Sequence, residues 1–301
     1  MVYPEKNWFN VIGAVWGVRS IGRPLNGSNG NRKYNITGEH LPDRHGPSFL
    51  RSDCCGKVAK KFPRKATASH SSTRKRNPPK DMSSITTTCL LEVERKFRSL
   101  AVRELTQHGG KPPFRSLQRL GSHQIRDVYY DRSNLLSAAG VWVRNRNGQW
   151  EAKINQGGTF TNSRFEELSD PRDIARCVAR WTGISTGDER QGIKVNFGLE
   201  PIATIATERA TWIADEEFRI VSDVMDFGHS VGEVELQQRA NFDTTSTEAS
   251  VEQQKRQVMQ EMDDRIVAFM KRYAWAFSPG KPKGKLTAYF EWKSGQRSMS
   301  S

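Results

Sequence analysis

From residue 88 onward the sequence predicts a mainly β fold of the α+β class, with many strands and few helices. Apolar and polar side chains alternate with the period of two that is typical of strands, and this pattern recurs along the segment. Turn signals such as Arg146-Asn147-Gly148 separate several of these stretches. Only three segments fit a helical period. This balance favours a closed barrel or a sandwich of sheets.

Nine segments have strand character and three have helical character. The predicted strands are Thr88 to Phe97, Gln118 to Tyr130, Val141 to Asn145, Gln149 to Asn155, Ser163 to Leu168, Ile202 to Ile213, Phe218 to Met225, Val231 to Arg239 and Leu286 to Trp292. The predicted helices are Arg98 to His108, Pro171 to Trp181 and Glu248 to Tyr273. The second helix follows Ser169 and Asp170, and its first residue is a proline, as at many helix starts.

The first 87 residues differ in composition from the rest of the chain. They contain 16 Lys and Arg against 5 Asp and Glu, with many Gly, Ser, Asn and Pro residues. Hardly any window keeps a strand or helix period long enough to bury a core, so we expect residues 1–87 to be a basic, largely disordered extension. A mitochondrial address, a nucleic-acid contact through Arg74-Lys75-Arg76 and a merely solvated tail all remain open for it.

The remaining bulk features restrict compartment and chemistry. No stretch approaches 18 consecutive apolar residues, so we expect no membrane contact. The four cysteines have neither metal-ligand nor disulfide spacing, which argues against zinc chemistry and suits a reducing compartment. We therefore expect a cytoplasmic protein, with a mitochondrial one as the alternative.

Two short acidic runs are the most informative motifs. In a strand, Glu92, Glu94 and Lys96 project from one face, and Glu233 and Glu235 project from one face of a later strand. Buried carboxylates without partners either take up protons or recruit cations. The runs therefore indicate a site for a divalent metal and a polyphosphate, unless both faces simply contact water.

Other predicted strands carry positively charged side chains that could lie near these carboxylates and balance their charge. Arginine can hold phosphate oxygens with two donors at once, whereas lysine acts as a compact point charge. The candidate cations are Arg144, Arg146, Lys153, Arg209 and Lys285. Trp142 is an aromatic residue predicted on the same strand face as Arg144.

Seven ordered segments, from Leu91-Glu92-Val93-Glu94-Arg95-Lys96-Phe97 to Gly284-Lys285-Leu286-Thr287-Ala288-Tyr289, resemble the CYTH domain of the triphosphate tunnel metalloenzymes. The five between them begin at Arg126, Trp142, Gly148, Thr207 and Asp226. The resemblance covers residues 88–292, leaving 293–301 as an expected flexible tail, and is greatest to the eukaryotic thiamine triphosphatases. It implies an eight-stranded antiparallel β-barrel whose lumen is a polar tunnel.

The resemblance also implies site roles, residue by residue. The triphosphate ligands would be Lys96, Arg144, Arg146, Lys153, Arg209 and Lys285, with Trp142 against the organic group. The Mg²⁺ or Mn²⁺ ligands would be Glu92, Glu94, Asp223, Glu233 and Glu235, with Glu167 as a weaker candidate. Glu92, Glu94 and Lys96 would be catalytic. Because Val221 stands where an acid is expected, we expect one metal ion.

The implied activity is metal-dependent hydrolysis of thiamine triphosphate to thiamine diphosphate and phosphate by a monomer. An inorganic tripolyphosphatase or another organic triphosphatase would use the same lumen. A non-catalytic protein that binds polyphosphate or nucleic acid is the alternative from another class.

Overall fold

The computed structural model describes residues 86–185, 189–243 and 245–299. The predictions made for the basic extension therefore concern residues outside these ranges, apart from Thr86 and Thr87, which begin the first strand.

Eight strands form a closed barrel in which every neighbouring pair is antiparallel. They are β1 (Thr86–Phe97), β2 (Leu117–Asp131), β3 (Val141–Arg146), β4 (Gln149–Gly158), β5 (Asn162–Leu168), β6 (Glu200–Ala214), β7 (Phe218–Met225) and β8 (Ser230–Asp243). Around the barrel the order is β1, β5, β4, β3, β2, β6, β7 and β8, and β8 pairs with β1 to close the ring. The predicted fold class and the first eight predicted strands are confirmed.

Helices flank the barrel. They are α1 (Leu135–Ala138), α2 (Pro171–Thr182), α3 (Glu189–Lys194), α4 (Glu248–Arg272) and α5 (Lys285–Met299), with 3-10 turns at Asn196–Gly198 and Ala274–Ala276. The Asp170 side chain caps α2 by accepting the Arg172 N–H, and Gly183 ends it with φ of 72°. Predicted helices α2 and α4 are confirmed. Within the described ranges, no helix combines the length and apolar character needed to cross a membrane.

The last predicted strand, Leu286 to Trp292, is wrong because these residues belong to α5. This helix continues to Met299, across the predicted boundary at residue 292. Its apolar residues Leu286, Tyr289 and Phe290 fit a helical spacing as well as a strand pattern. A barrel already closed by eight strands offers no free edge to a ninth.

The predicted helix from Arg98 to His108 is also absent. The Ala101 N–H donates to the Ala276 carbonyl at 2.9 Å, and the Ser278 N–H donates to the Ser99 carbonyl at 2.9 Å. These long-range bonds take backbone groups that a helix would have used internally. The segment is therefore held as an irregular connection.

The main apolar core lies outside the barrel, beneath the helices. Val93, Ile220 and Val234, from three strands, pack against Met262 and Ile266 of α4. A second cluster lies between α2 and the outer faces of β3 and β4. Side-chain alternation therefore leaves the opposite faces of these strands for the lumen.

Helix α5 packs against residues of the barrel lumen. Tyr289 packs against Tyr129, Ile205 and Val231. Ile205 and Val231 share strand faces with Arg209 and Glu233, so this apolar cluster continues the lumen. The helix thereby brings Lys285, at its first turn, into the interior.

Candidate active site

A cavity of about 320 Å³ occupies the barrel lumen. Pockets for small ligands usually measure roughly 300 to 1,000 Å³. Every residue predicted for the site lines this cavity except Asp223, which contacts two of the lining residues. The lining members are Glu92, Glu94, Lys96, Trp142, Arg144, Arg146, Lys153, Arg209, Glu233, Glu235 and Lys285.

The pairing of β1 with β8 brings the two acidic runs together. In this register Glu94 lies opposite Glu235, and Lys96 lies opposite Glu233. All three glutamates are buried. Like charges directly opposite on neighbouring strands repel each other, so the Glu94 and Glu235 pair favours a cation between or beside them.

Two lysines partly balance these acids. The Lys153 ammonium contacts the Glu92 carboxylate, lies 3.0 Å from Glu167 and 3.7 Å from Glu94. The Lys96 ammonium contacts Glu94 and lies 3.7 Å from Glu233. Lys153 therefore faces three carboxylates at once.

Two arginines of β3 are held by different acids. Arg146 donates from Nε and Nη2 to the two oxygens of Asp127, at 2.7 and 2.8 Å. Arg144 donates from Nε to Glu151 at 2.7 Å and from Nη1 to the Tyr129 hydroxyl at 3.4 Å. The planar guanidinium groups are thus fixed in orientation as well as position.

A third arginine lies on β6. Arg209 donates from Nε and Nη2 to the oxygens of Asp223, at 2.7 and 2.6 Å. The Lys285 ammonium also contacts Asp223. Glu235 is paired with Arg219 of β7 and lies 4.0 Å from Arg209. Asp223 therefore differs from the other predicted metal ligands, because both of its oxygens already accept hydrogen bonds from a cation.

The pKa values of the charged side chains in the lumen are shifted by burial and by their charged neighbours. Burial raises the pKa of Glu92; Lys153 opposes the shift and Glu167 adds to it. Burial would also raise the pKa of Glu233, but Lys96, Lys285 and Arg209 together hold that pKa below its usual range. Burial and Arg209 lower the pKa of the Lys285 ammonium, against the pull of Asp223. The charges are therefore interdependent across the lumen.

The donor chemistry fits a hard divalent cation. The acids that line the cavity are all carboxylates, and its lining contains neither histidine nor cysteine. Oxygen donors of this kind suit Mg²⁺ or Mn²⁺. In the part of the chain that the structure describes, no three acidic, histidine or cysteine side chains form a ready-made metal site. The lumen carboxylates are instead paired with cations, which a ligand would have to draw away.

Several lining residues were not among the predicted site residues. They include Tyr129, Glu151, Phe160, Phe165, Arg219 and Gln237. Arg219 and Gln237 share strand faces with Asp223 and Glu235, so a strict period-two reading extended by one step would have found them. The weaker candidate Glu167 also lines the cavity.

Comparisons with known proteins agree with this geometry. The CYTH domain family model matches residues 90–269. Human thiamine-triphosphatase is 34% identical over 163 residues, which cover 48% of this chain and 67% of the human protein.

Two solved structures are also similar. One, from Pyrococcus horikoshii OT3, has 13% identity and a TM-score of 0.40, over 66% of this chain and 98% of the other. The other, a Hippeastrum protein described as a putative adenylyl cyclase with a dominant triphosphatase activity, has 15% identity and a TM-score of 0.34, over 68% and 96%. The family match spans more than half of the sequence, and the chain belongs to the CYTH domain family.

Proposed function

We propose that the protein hydrolyses the terminal phosphoanhydride bond of a small triphosphate, and that its substrate is thiamine triphosphate. The observation that carries this proposal is the set of cations gathered in one lumen beside carboxylates. Four strands and one helix supply Lys96, Arg144, Arg146, Lys153, Arg209 and Lys285. Burying so many charges is costly unless a ligand of opposite charge uses them.

In this proposal the cations bind the oxygens of the triphosphate chain. Lys96 stabilises charge on the phosphoryl group that is transferred, as positioned cations do in phosphoryl transfer. As phosphate oxygens attract Lys96 and Lys153, the carboxylates of Glu94 and Glu92 lose their present partners. One of these freed glutamates then orients the attacking water and accepts its proton.

Glu233 and Glu235, together with whichever of Glu92 and Glu94 does not accept the proton of the water, are the proposed ligands of one Mg²⁺, with Mn²⁺ as a substitute. When bound, the metal would supply Lewis-acid polarisation of the phosphoryl oxygens. A single ion is proposed because Val221, which lies opposite Glu233 and is fully buried, adds no carboxylate to this face.

Two observations support thiamine triphosphate as the substrate. A relative at 34% identity is human thiamine-triphosphatase. Trp142 lines the cavity two residues from Arg144, where its ring can stack on a cationic heterocycle attached to the triphosphate. Inorganic tripolyphosphate is the competing substrate, because the charged lining would serve it equally well.

The test is a phosphate-release assay of the purified protein with Mg²⁺ on thiamine triphosphate, tripolyphosphate, ATP and an RNA 5′-triphosphate. We expect kcat/KM to be highest for thiamine triphosphate, and activity to disappear with EDTA and return with Mn²⁺. Faster hydrolysis of tripolyphosphate would overturn the substrate, and release from none of the four would overturn the proposed activity.

A further inference from the structure

Asp127 of β2 has no role in the function proposed so far, yet it is among the most completely buried charged residues. Its exposure is 0%, and its two oxygens accept hydrogen bonds from Arg146 at 2.7 and 2.8 Å. A carboxylate so far from water is tolerated only with charged donors in good geometry. If Arg146 leaves the pair, the buried carboxylate of Asp127 is left without a charged partner.

The neighbouring arginine is held less firmly. The side chain of Glu151, which accepts from Arg144, is 32% exposed, so water can solvate this carboxylate when Arg144 moves away, whereas Asp127 is 0% exposed. Arg144 reaches one oxygen of Glu151 through both Nε and Nη2, at 2.7 and 2.6 Å. Its Nε lies 4.0 Å from Asp127, and its contact to the Tyr129 hydroxyl is long at 3.4 Å. Arg144 can therefore turn towards a ligand, whereas Arg146 keeps the orientation that Asp127 imposes.

The same arrangement occurs on the other side of the lumen. Asp223 is also 0% exposed, and it accepts from Nε and Nη2 of Arg209. In both pairs the aspartate lies on a strand next to that of the arginine, in direct register. Both arginines use Nε and Nη2 in this contact.

We propose that Asp127 is a positioning residue, which holds the Arg146 guanidinium in one orientation before a triphosphate binds. This inference rests on the proposed function, since the group to be contacted is a phosphate. A donor that is already oriented needs no rearrangement as charge develops in the transition state. Asp127 thus acts on the reaction through Arg146 and does not contact the substrate.

The kinetic test is Asp127→Asn, which keeps the shape but replaces one acceptor oxygen with an NH₂ donor. We expect kcat to fall about tenfold to a hundredfold because Arg146 is no longer fixed. The substitution removes one negative charge, so the lumen becomes more positive. The Kd for tripolyphosphate without metal, measured by calorimetry, should therefore stay equal or decrease. Weaker tripolyphosphate binding would overturn the proposal, because it would show that Asp127 maintains the binding site as a whole.

A second measurement does not depend on turnover. The side-chain ¹⁵Nε–¹H resonance of Arg146, assigned by its loss in Arg146→Gln, should exchange slowly with solvent in the wild-type protein. Asp127→Asn should increase that exchange rate about tenfold or more, because the hydrogen bond to the carboxylate is lost. An unchanged rate would overturn the proposal even if the protein is an active triphosphatase. If no triphosphate is hydrolysed, the proposed function fails, and this rate still decides the role of Asp127.

Asp215→Asn is the matched control. Asp215 is a buried aspartate outside the lumen, bonded to Arg115 and to the Tyr273 hydroxyl. Its substitution should lower stability but leave the kcat and the Arg146 exchange rate unchanged. If Asp127→Asn does not fold, Asp127→Glu moves the carboxylate by one methylene and should give the same faster exchange and lower kcat. Wild-type values in that variant would overturn the proposal.

Discussion

The two faces of the same barrel strands differ in what they do. On the outer face of β1, Leu91 and Val93 pack beneath α4 with other apolar residues. On the inner face of this strand, Glu92 and Glu94 are buried among charges, and Lys96 is partly buried beside them. Apolar burial stabilises the fold, whereas buried charges cost free energy that their mutual pairing only partly returns. Residues that stabilise the fold and residues of the candidate site therefore lie on opposite faces of the same strand.

The largest expected effect is on the inner face. Glu94→Gln should lower kcat/KM by about 10³-fold, since one charged group at a reacting centre contributes about this much. The midpoint of thermal unfolding should change little, because Lys96 keeps Glu233 at 3.7 Å as a partner and the substitution also removes the repulsion between Glu94 and Glu235. Phosphate release and circular dichroism together measure both quantities.

The control is Glu166→Gln on the neighbouring strand β5. Glu166 points away from the lumen and accepts a hydrogen bond from Lys255 at 2.8 Å. Its substitution should leave kcat/KM within about twofold of the wild-type value. Near-normal turnover in Glu94→Gln, or equal losses in both variants, would contradict the division between the faces.

A substitution on the outer side of the barrel should lower stability and leave turnover unchanged. Met262 of α4 is buried in the main core, so Met262→Ala should reduce the free energy of unfolding by about 3 kcal/mol. Turnover per folded molecule should not change. Urea unfolding followed by circular dichroism measures the loss, and Val267→Ala, at an exposed site of the same helix, should change little. A loss of activity larger than the loss of folded protein would contradict this prediction.

A polar network on the outer face should make stability depend on pH. Asp263 of α4 accepts hydrogen bonds from Arg164 at 2.9 Å and from Arg95 at 3.1 Å, and it also contacts Asn162. Burial would raise the pKa of Asp263, but these donors outweigh it and lower that pKa. A lowered pKa in the folded state means that the stabilisation is complete above the pKa of the unfolded chain, about 3.9 for aspartate.

Asp263→Asn should therefore lower the free energy of unfolding by about 2 kcal/mol at pH 7. The difference from the wild-type protein should shrink as the pH falls through the lowered pKa of Asp263. Urea unfolding at a series of pH values tests this, with Asp264→Asn, at an exposed neighbour, as the control. A difference that stays constant down to acidic pH would show that the charge of Asp263 is not responsible.

The sequence predicted the strands well because one face of each is apolar and the other polar. It failed at Leu286, Tyr289 and Phe290, whose spacing suits both periods. Only the closure of the barrel by eight strands decides that this segment is a helix. Local pattern cannot supply that information, since closure depends on pairings between residues distant in the chain.

The same limit applies to the site. Period-two alternation placed Glu92 and Glu94 on one strand face, and the resemblance to the CYTH domain placed them in one lumen with the cations. It could not show that Asp127 holds Arg146, or that Arg219 is the partner of Glu235, because these pairs depend on the register between neighbouring strands. The predicted residues lie together, while their partners had to come from the structure.

The smallest expected effect concerns the organic part of the substrate. Trp142 lies on the lumen face but carries no charge, so it should matter only for a substrate with a cationic ring. A cation on an aromatic face is worth about 0.5 to 2 kcal/mol, so Trp142→Ala should raise the KM for thiamine triphosphate about 2- to 30-fold. The KM for tripolyphosphate, which has no ring, should not change. Trp181→Ala, at an exposed tryptophan of α2, should alter neither value. Equal changes for both substrates in Trp142→Ala would mean that this tryptophan only packs in the lumen, and that recognition of the organic group lies elsewhere.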